Sequence, residues 1–128
     1  EIKECDWSSD VCSSDLLLPP QPEVLTFVLD QHHIGGLVLS CTGITHHDDV
    51  LGVTSVVVRA ASRHPAATSL VVASVRPHHG FLPGDIARWV ELDQLCEVEG
   101  LQLIEWYILG VHGAELPRLR YGEPSRWP

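Results

Sequence analysis

The stretch Ser74-Val75-Arg76-Pro77-His78-His79-Gly80-Phe81-Leu82-Pro83-Gly84-Asp85 decides how the rest of the chain is read. It follows a nearly continuous apolar run, Ser69 to Ala73, the pattern of a central strand covered on both faces. It precedes Asp85 to Glu99, which reads as a helix closed by Gly100, a residue suited to a left-handed cap. Ile86, Trp89, Val90 and either Leu95 or Cys96 would form the buried stripe of that helix. The Pro/His/Gly loop therefore joins a strand end to a helix start.

Outward from this loop the elements alternate. Glu23 to Leu29 is short, apolar and β-branched, and reads as a strand. Asp30-Gln31-His32-His33 turns the chain, Gly35-Gly36 reads as part of the hairpin turn, and Ile34 to Cys41 is the second strand. Val50 to Ala61 is valine-rich, but its acidic start at Asp48-Asp49 and its stop at Pro65 favour a helix. Val50, Val53, Val57 and Ala60 would share its inner face. Leu101 to Leu109 is the last clear strand. Of its neighbours Trp106 and Tyr107, one should be core and the other should lie near the loop, since adjacent strand residues face opposite sides. Beyond Gly110 the chain should be mostly coil with one short strand. The order β-β-α-β-α-β predicts an α/β fold, a three-layer mixed sheet with helices on its faces.

The loop resembles the metal-site segment of the JAB/MPN domain (the JAMM metallopeptidase fold), in its bacterial RadC-like branch. That family carries His-x-His-Pro-Ser-Gly, then a Pro-Ser pair, then an Asp. Here Pro77 matches the family proline, Pro83-Gly84 stands near the Pro-Ser pair, and Asp85 matches the aspartate across a shorter loop. The resemblance runs from Glu23 to Gly110. At the last strand, Glu105-Trp106-Tyr107-Ile108-Leu109-Gly110 stands where RadC-like chains read Asp-His, three aliphatics and Gly. The resemblance implies a cytidine-deaminase-like three-layer fold, with a RadC-like domain over 23–113. Pro19, Pro20 and Pro22 make 17–22 an extended lead-in, and 114–128 reads as a C-terminal tail.

An active site of this family would hold zinc on two histidines and an aspartate, leaving the fourth position to water. A glutamate would act as general base on that water, and Glu23 lies near its expected place. Ser74 and Arg76 fall on the two histidine positions. Serine is a poor neutral ligand, and arginine is a permanent cation with no lone pair to give. The expected cofactor is therefore none. Arg76 is free to pair with Asp85 across the vacated position, or Asp85 serves as a helix cap.

Eight histidines include three adjacent pairs, His32-His33, His46-His47 and His78-His79. The alternative to a lost metal site is a shifted Zn2+ site on His78, His79 and Asp85, serving a zinc-dependent hydrolase of peptide or isopeptide bonds. The bland reading of such pairs is solvated loop side chains. The chain has no zincin or deaminase signature. Cys41 and Cys96 read as core thiols.

Residues 1–16 resemble a translated sequencing-adaptor artefact of the kind found in metagenomic assemblies, the other reading being a disordered acidic tail. Neither should pack. Lys3 is the only lysine of the chain, and the segment holds five acids, Glu1, Glu4, Asp6, Asp10 and Asp15. Without its net four negative charges, the rest carries −5 of the formal −9. That balance gives no footprint for nucleic acid and none for an anionic membrane. A cytoplasmic protein is expected. The tail Arg118 to Trp127, rich in arginine and aromatics, reads as a solvated terminus or as a docking segment for a protein partner. Together these readings lead to the expectation of a catalytically inactive pseudo-metallopeptidase that works as a binding or scaffolding module.

Overall fold

A computed structural model describes the strand Ile2–Cys5 and residues 21–127, and its centre is a strand with six of seven residues buried, β4 (Ser69–Val75). Around it lie β1 (Ile2–Cys5), β2 (Glu23–Leu29), β3 (Gly35–Thr42), α1 (Asp49–Ala61), α2 (Asp85–Val98), β5 (Gln102–Gly110), β6 (Gly113–Glu115) and α3 (Pro117–Tyr121). The sheet runs β1-β3-β2-β4-β5-β6. Only the β4–β5 pair is parallel among the described strands. The fold is α/β with a mixed sheet, and β2 to β5 keep the expected β-β-α-β-α-β order.

Both long helices lie on one face, which corrects the expectation of helices on both. The crossovers β3–α1–β4 and β4–α2–β5 step in the same direction along the sheet, so right-handed connections place both helices on the same side. Accordingly Val50, Val57, Val58 and Ala61 of α1 share one core with Trp89, Leu92 and Cys96 of α2, over Val24, Leu70, Val72, Leu103 and Trp106. In α1 the buried stripe is Val50, Thr54, Val57, Val58 and Ala61, and Ala60 is exposed instead of inward.

The opposite face has a smaller cluster, Leu29, Val71 and Ile104, with Phe27 and Tyr107 packed against it. A register shift pairs Leu70 with Leu103 but Val71 with Glu105. The extra residue puts Glu105 on this second face beside Val71. There Arg118 Nε donates to both Glu105 carboxylate oxygens at 2.9 and 3.0 Å. Trp106 takes both places foreseen for the aromatic pair. It is fully buried in the main core and reaches the loop, while Tyr107 faces away.

The tail is packed and not a solvated coil. It forms α3, and Arg126 Nη1 donates to Asp93 at 2.7 Å and to the Leu103 carbonyl at 2.8 Å. The Arg126 guanidinium also stacks 4.8 Å from the Trp89 ring centroid. These contacts cover the part of the β5 edge that β6 leaves open.

At the hairpin, the turn is Asp30 to His33, and Gly35 and Gly36 already belong to β3. His33 takes the left-handed conformation, φ 60°, and the Asp30 carboxylate accepts the His32 and Ile34 N–H groups. Ile2–Cys5 pairs antiparallel with Val38–Cys41 of β3, contrary to the expectation that residues 1–16 do not pack. The rest of that segment, and most of the 17–22 lead-in, lie outside the described residues. No described helix is long and apolar enough to cross a membrane.

Candidate functional site

Strand alternation puts Ser74 and Arg76 on the helix-bearing face at the end of β4. Ser74 Oγ accepts the Trp106 indole N–H at 3.0 Å, so its hydroxyl serves the core. Arg76 is 6 % exposed and Asp85 0 %. Their side chains meet in a two-pronged ion pair, Nη1 to Oδ2 at 2.7 Å and Nη2 to Oδ1 at 2.9 Å. This fork-to-fork geometry is the strongest that arginine makes with a carboxylate. Arg76 Nη1 also donates to the Gly80 carbonyl at 3.0 Å, which folds the loop around the guanidinium.

Asp85 is therefore ion-pair partner and helix-start residue at once. Its Oδ2 accepts the Leu82 N–H at 2.6 Å, a reach-back of the kind an acid makes in a capping box. A second guanidinium, Arg88, donates to Asp85 Oδ1 at 2.9 Å and through Nε to Asp48 Oδ1 at 2.7 Å. Burial pushes the Asp85 carboxyl upward, but the hydrogen bond from Arg76, the Leu82 N–H and the two positive charges outweigh it. The group ends below the ordinary carboxylate value of 3.8. Arg88 is held charged in turn, burial being outweighed by its bonds to Asp48 and Asp85.

The loop is fixed from behind by β5. Arg76 N–H donates to the Leu109 carbonyl at 2.9 Å, and Val111 N–H to the His79 carbonyl at 3.0 Å. Gly110 is required there, since a Cβ would collide with the His79 carbonyl oxygen.

In front of Arg76 lies a cleft of about 200 Å³ between the β3–α1 and β4–α2 loops. Glu23, Ser74, Arg76, Pro77, His78 and His79 border it, and so do His46 and His47. Glu23 borders the cleft but belongs by alternation to the face of Leu25 and Phe27, and it accepts a hydrogen bond from Ser40 Oγ at 3.4 Å. His47 meets His79 edge to face, ring centroids 5.3 Å apart. The His47 imidazole is held below the ordinary 6.5, first by burial and then by Arg76, Arg88 and His79. His46 Nδ1 accepts the Asp48 N–H at 3.1 Å.

The set His78, His79 and Asp85 is not assembled as a metal centre. Both Asp85 oxygens are taken by guanidiniums, and no three His, Cys, Asp or Glu side chains among the described residues group to hold a metal ion. Sequence reasoning missed Arg88, Asp48, His46 and His47. The Asp85/Arg88 spacing, three apart on a helix, is a usable signal for the first. Asp48 lies 40 residues from Arg88, and nothing local announces that contact. The chain matches no protein-family model, no curated protein and no solved structure.

Proposed function

We propose that the chain is a RadC-like JAB/MPN-fold protein whose metal position has become a structural ion pair, and that it acts as a non-catalytic binding or scaffolding module. The observation that carries the reading is the buried Arg76–Asp85 fork, 2.7 and 2.9 Å. In that family the strand residue and the helix-start aspartate would both be zinc ligands. Here one has become a permanent cation and its charge is matched by the other. The donor set does not fit zinc. Ser74 Oγ accepts from Trp106, Arg76 would repel the ion, and Asp85 offers no oxygen clear of a guanidinium. The glutamate that would serve as base, Glu23, accepts the Ser40 hydroxyl.

The second reading, a zinc hydrolase on His78, His79 and Asp85, is separated by zinc titration followed by thermal unfolding. The proposal expects no stabilisation by stoichiometric zinc. A zinc-dependent rise in Tm that disappears in His78→Ala, His79→Ala or Asp85→Ala would overturn it and call for peptidase assays.

A further inference from the structure

The cleft in front of Arg76 has an unusual lining. Four imidazoles, His46, His47, His78 and His79, border it together with the guanidinium of Arg76. Behind them the fixed charges balance. Arg76 and Arg88 are matched by Asp85 and Asp48. On the β3–α1 side, Asp49 Oδ2 accepts the Thr45 and His46 N–H groups, which ties the loop to the start of α1. On the β2 side, Glu23 accepts the Ser40 hydroxyl. Asp49 and Glu23 keep their negative charge while accepting these bonds, so what the cleft offers an anion is its ring N–H donors. Ring N–H groups are hydrogen-bond donors whether neutral or charged, and two-fold donors once charged.

We propose that this cleft is a binding site for a small oxyanion, a sulfate-, phosphate- or carboxylate-bearing group, held by the His47 and His79 imidazoles with His46 and His78 at the rim and Arg76 at the back. The cleft, about 200 Å³, has room for such a group. Two loops from different parts of the chain meet at the His47–His79 contact, 5.3 Å between centroids, so an anion accepted by both rings would join them. Affinity rises as the imidazoles gain protons. His47, held low by burial and by Arg76, Arg88 and His79, has the most to gain from a neighbouring negative charge. The inference rests on the preceding reading in one respect, that no metal occupies these histidines.

The test uses the full chain and sodium sulfate, which does not itself titrate in this range, against sodium chloride at equal ionic strength. Metal content is measured on the same sample. Binding is read by calorimetry at pH 5.5 and pH 8, and the histidine rings are titrated by NMR with and without sulfate. Sulfate is expected to bind at least about tenfold more tightly at pH 5.5 and to raise the titration midpoint of His47, as reciprocal linkage demands. His47→Gln and His79→Gln should each remove most of the gain, while His32→Gln, in the hairpin turn, should leave it intact. Equal affinity at the two pH values, an unmoved His47 midpoint, or full binding in both cleft variants would overturn the inference while the metal-free reading stood. Stoichiometric zinc in the sample would overturn both.

Discussion

Arg76 Nη2 and Asp85 Oδ1 lie 2.9 Å apart, and the same Asp85 oxygen accepts from Arg88 Nη1, also at 2.9 Å. One carboxylate thus joins the end of β4 to the first turn of α2 and, through Arg88, to Asp48 ahead of α1. The loop bearing His78 and His79 is tied at both ends to this carboxylate.

The two partners should not be equally costly to remove. Asp85→Ala leaves Arg76 buried with the Gly80 carbonyl and the Trp106 ring but no carboxylate among its described partners, and should destabilise by about 3–5 kcal/mol. Arg76→Ala leaves Asp85 its bonds to Arg88 and the Leu82 N–H, and should cost less. Replacing both by apolar residues of similar size, Arg76→Met with Asp85→Leu, should cost less than Asp85→Ala alone. Urea unfolding of the four proteins checks the ranking. Equal losses for the two alanine variants would mean that Arg88 does not support Asp85.

Acid should weaken the fold in two steps. His47 is depressed below 6.5, so the unfolded chain takes its proton first, and stability is lost as pH falls below 6.5 through the folded value. Asp85 is depressed below 3.8, so its contribution is present above that value and lost as pH falls through the lower folded one. Denaturant midpoints measured from pH 8 to pH 2 should show both slopes. His47→Gln should flatten the upper one and Asp85→Asn the lower.

Gly110→Ala should damage the loop from a distance. The added methyl would meet the His79 carbonyl oxygen, so β5 or the loop must shift, at about 1–3 kcal/mol. Faster amide exchange at Arg76 and Val111, whose N–H groups bond across this junction, would report the shift. Unchanged exchange would show that the junction absorbs the methyl elsewhere.

The hydroxyl of Thr54, fully buried in α1, finds no hydrogen-bond partner among the described residues. Thr54→Val keeps the shape and removes the desolvated polar atom, so it should stabilise by about 1 kcal/mol. A loss of stability in thermal unfolding would mean that the hydroxyl is hydrogen-bonded after all.

Cys96 should resist modification. Burial, then the charge of Asp93, pushes its thiol up to about 12, and thiolate is the reactive form. Peptide-mapped labelling with iodoacetamide at pH 8 should modify half-buried Cys41 well before Cys96, and urea should abolish the difference.

What the sequence made legible follows from how local each signal is. β2 and the start of α2 were readable because apolar runs and punctuating residues are local. The Arg76–Asp85 pair was readable as one of two roles for Asp85, and the structure gives the ion pair and not the cap: the cap position is Gly84, and Asp85 accepts the Leu82 N–H ahead of the helix. The single helical face was not read, although it follows from the handedness of two crossovers once the strand order is known. The side on which Glu105 lies was not readable, because a bulge at Ile104 breaks the two-residue period. The packing of the tail was not read, because its arginine partners, Glu105 and Asp93, are distant in sequence. His46 and His47 join the cleft only through tertiary folding.

The central claim is that a charge pair stands where a metal site would be, and metal content tests it most directly. The protein is purified without chelator or affinity metal and analysed by inductively coupled plasma mass spectrometry, before and after incubation with zinc and desalting. The account predicts far less than one zinc per chain in both samples. Near-stoichiometric zinc that is lost in Asp85→Ala would contradict it, because Asp85 cannot hold a metal while both its oxygens serve Arg76.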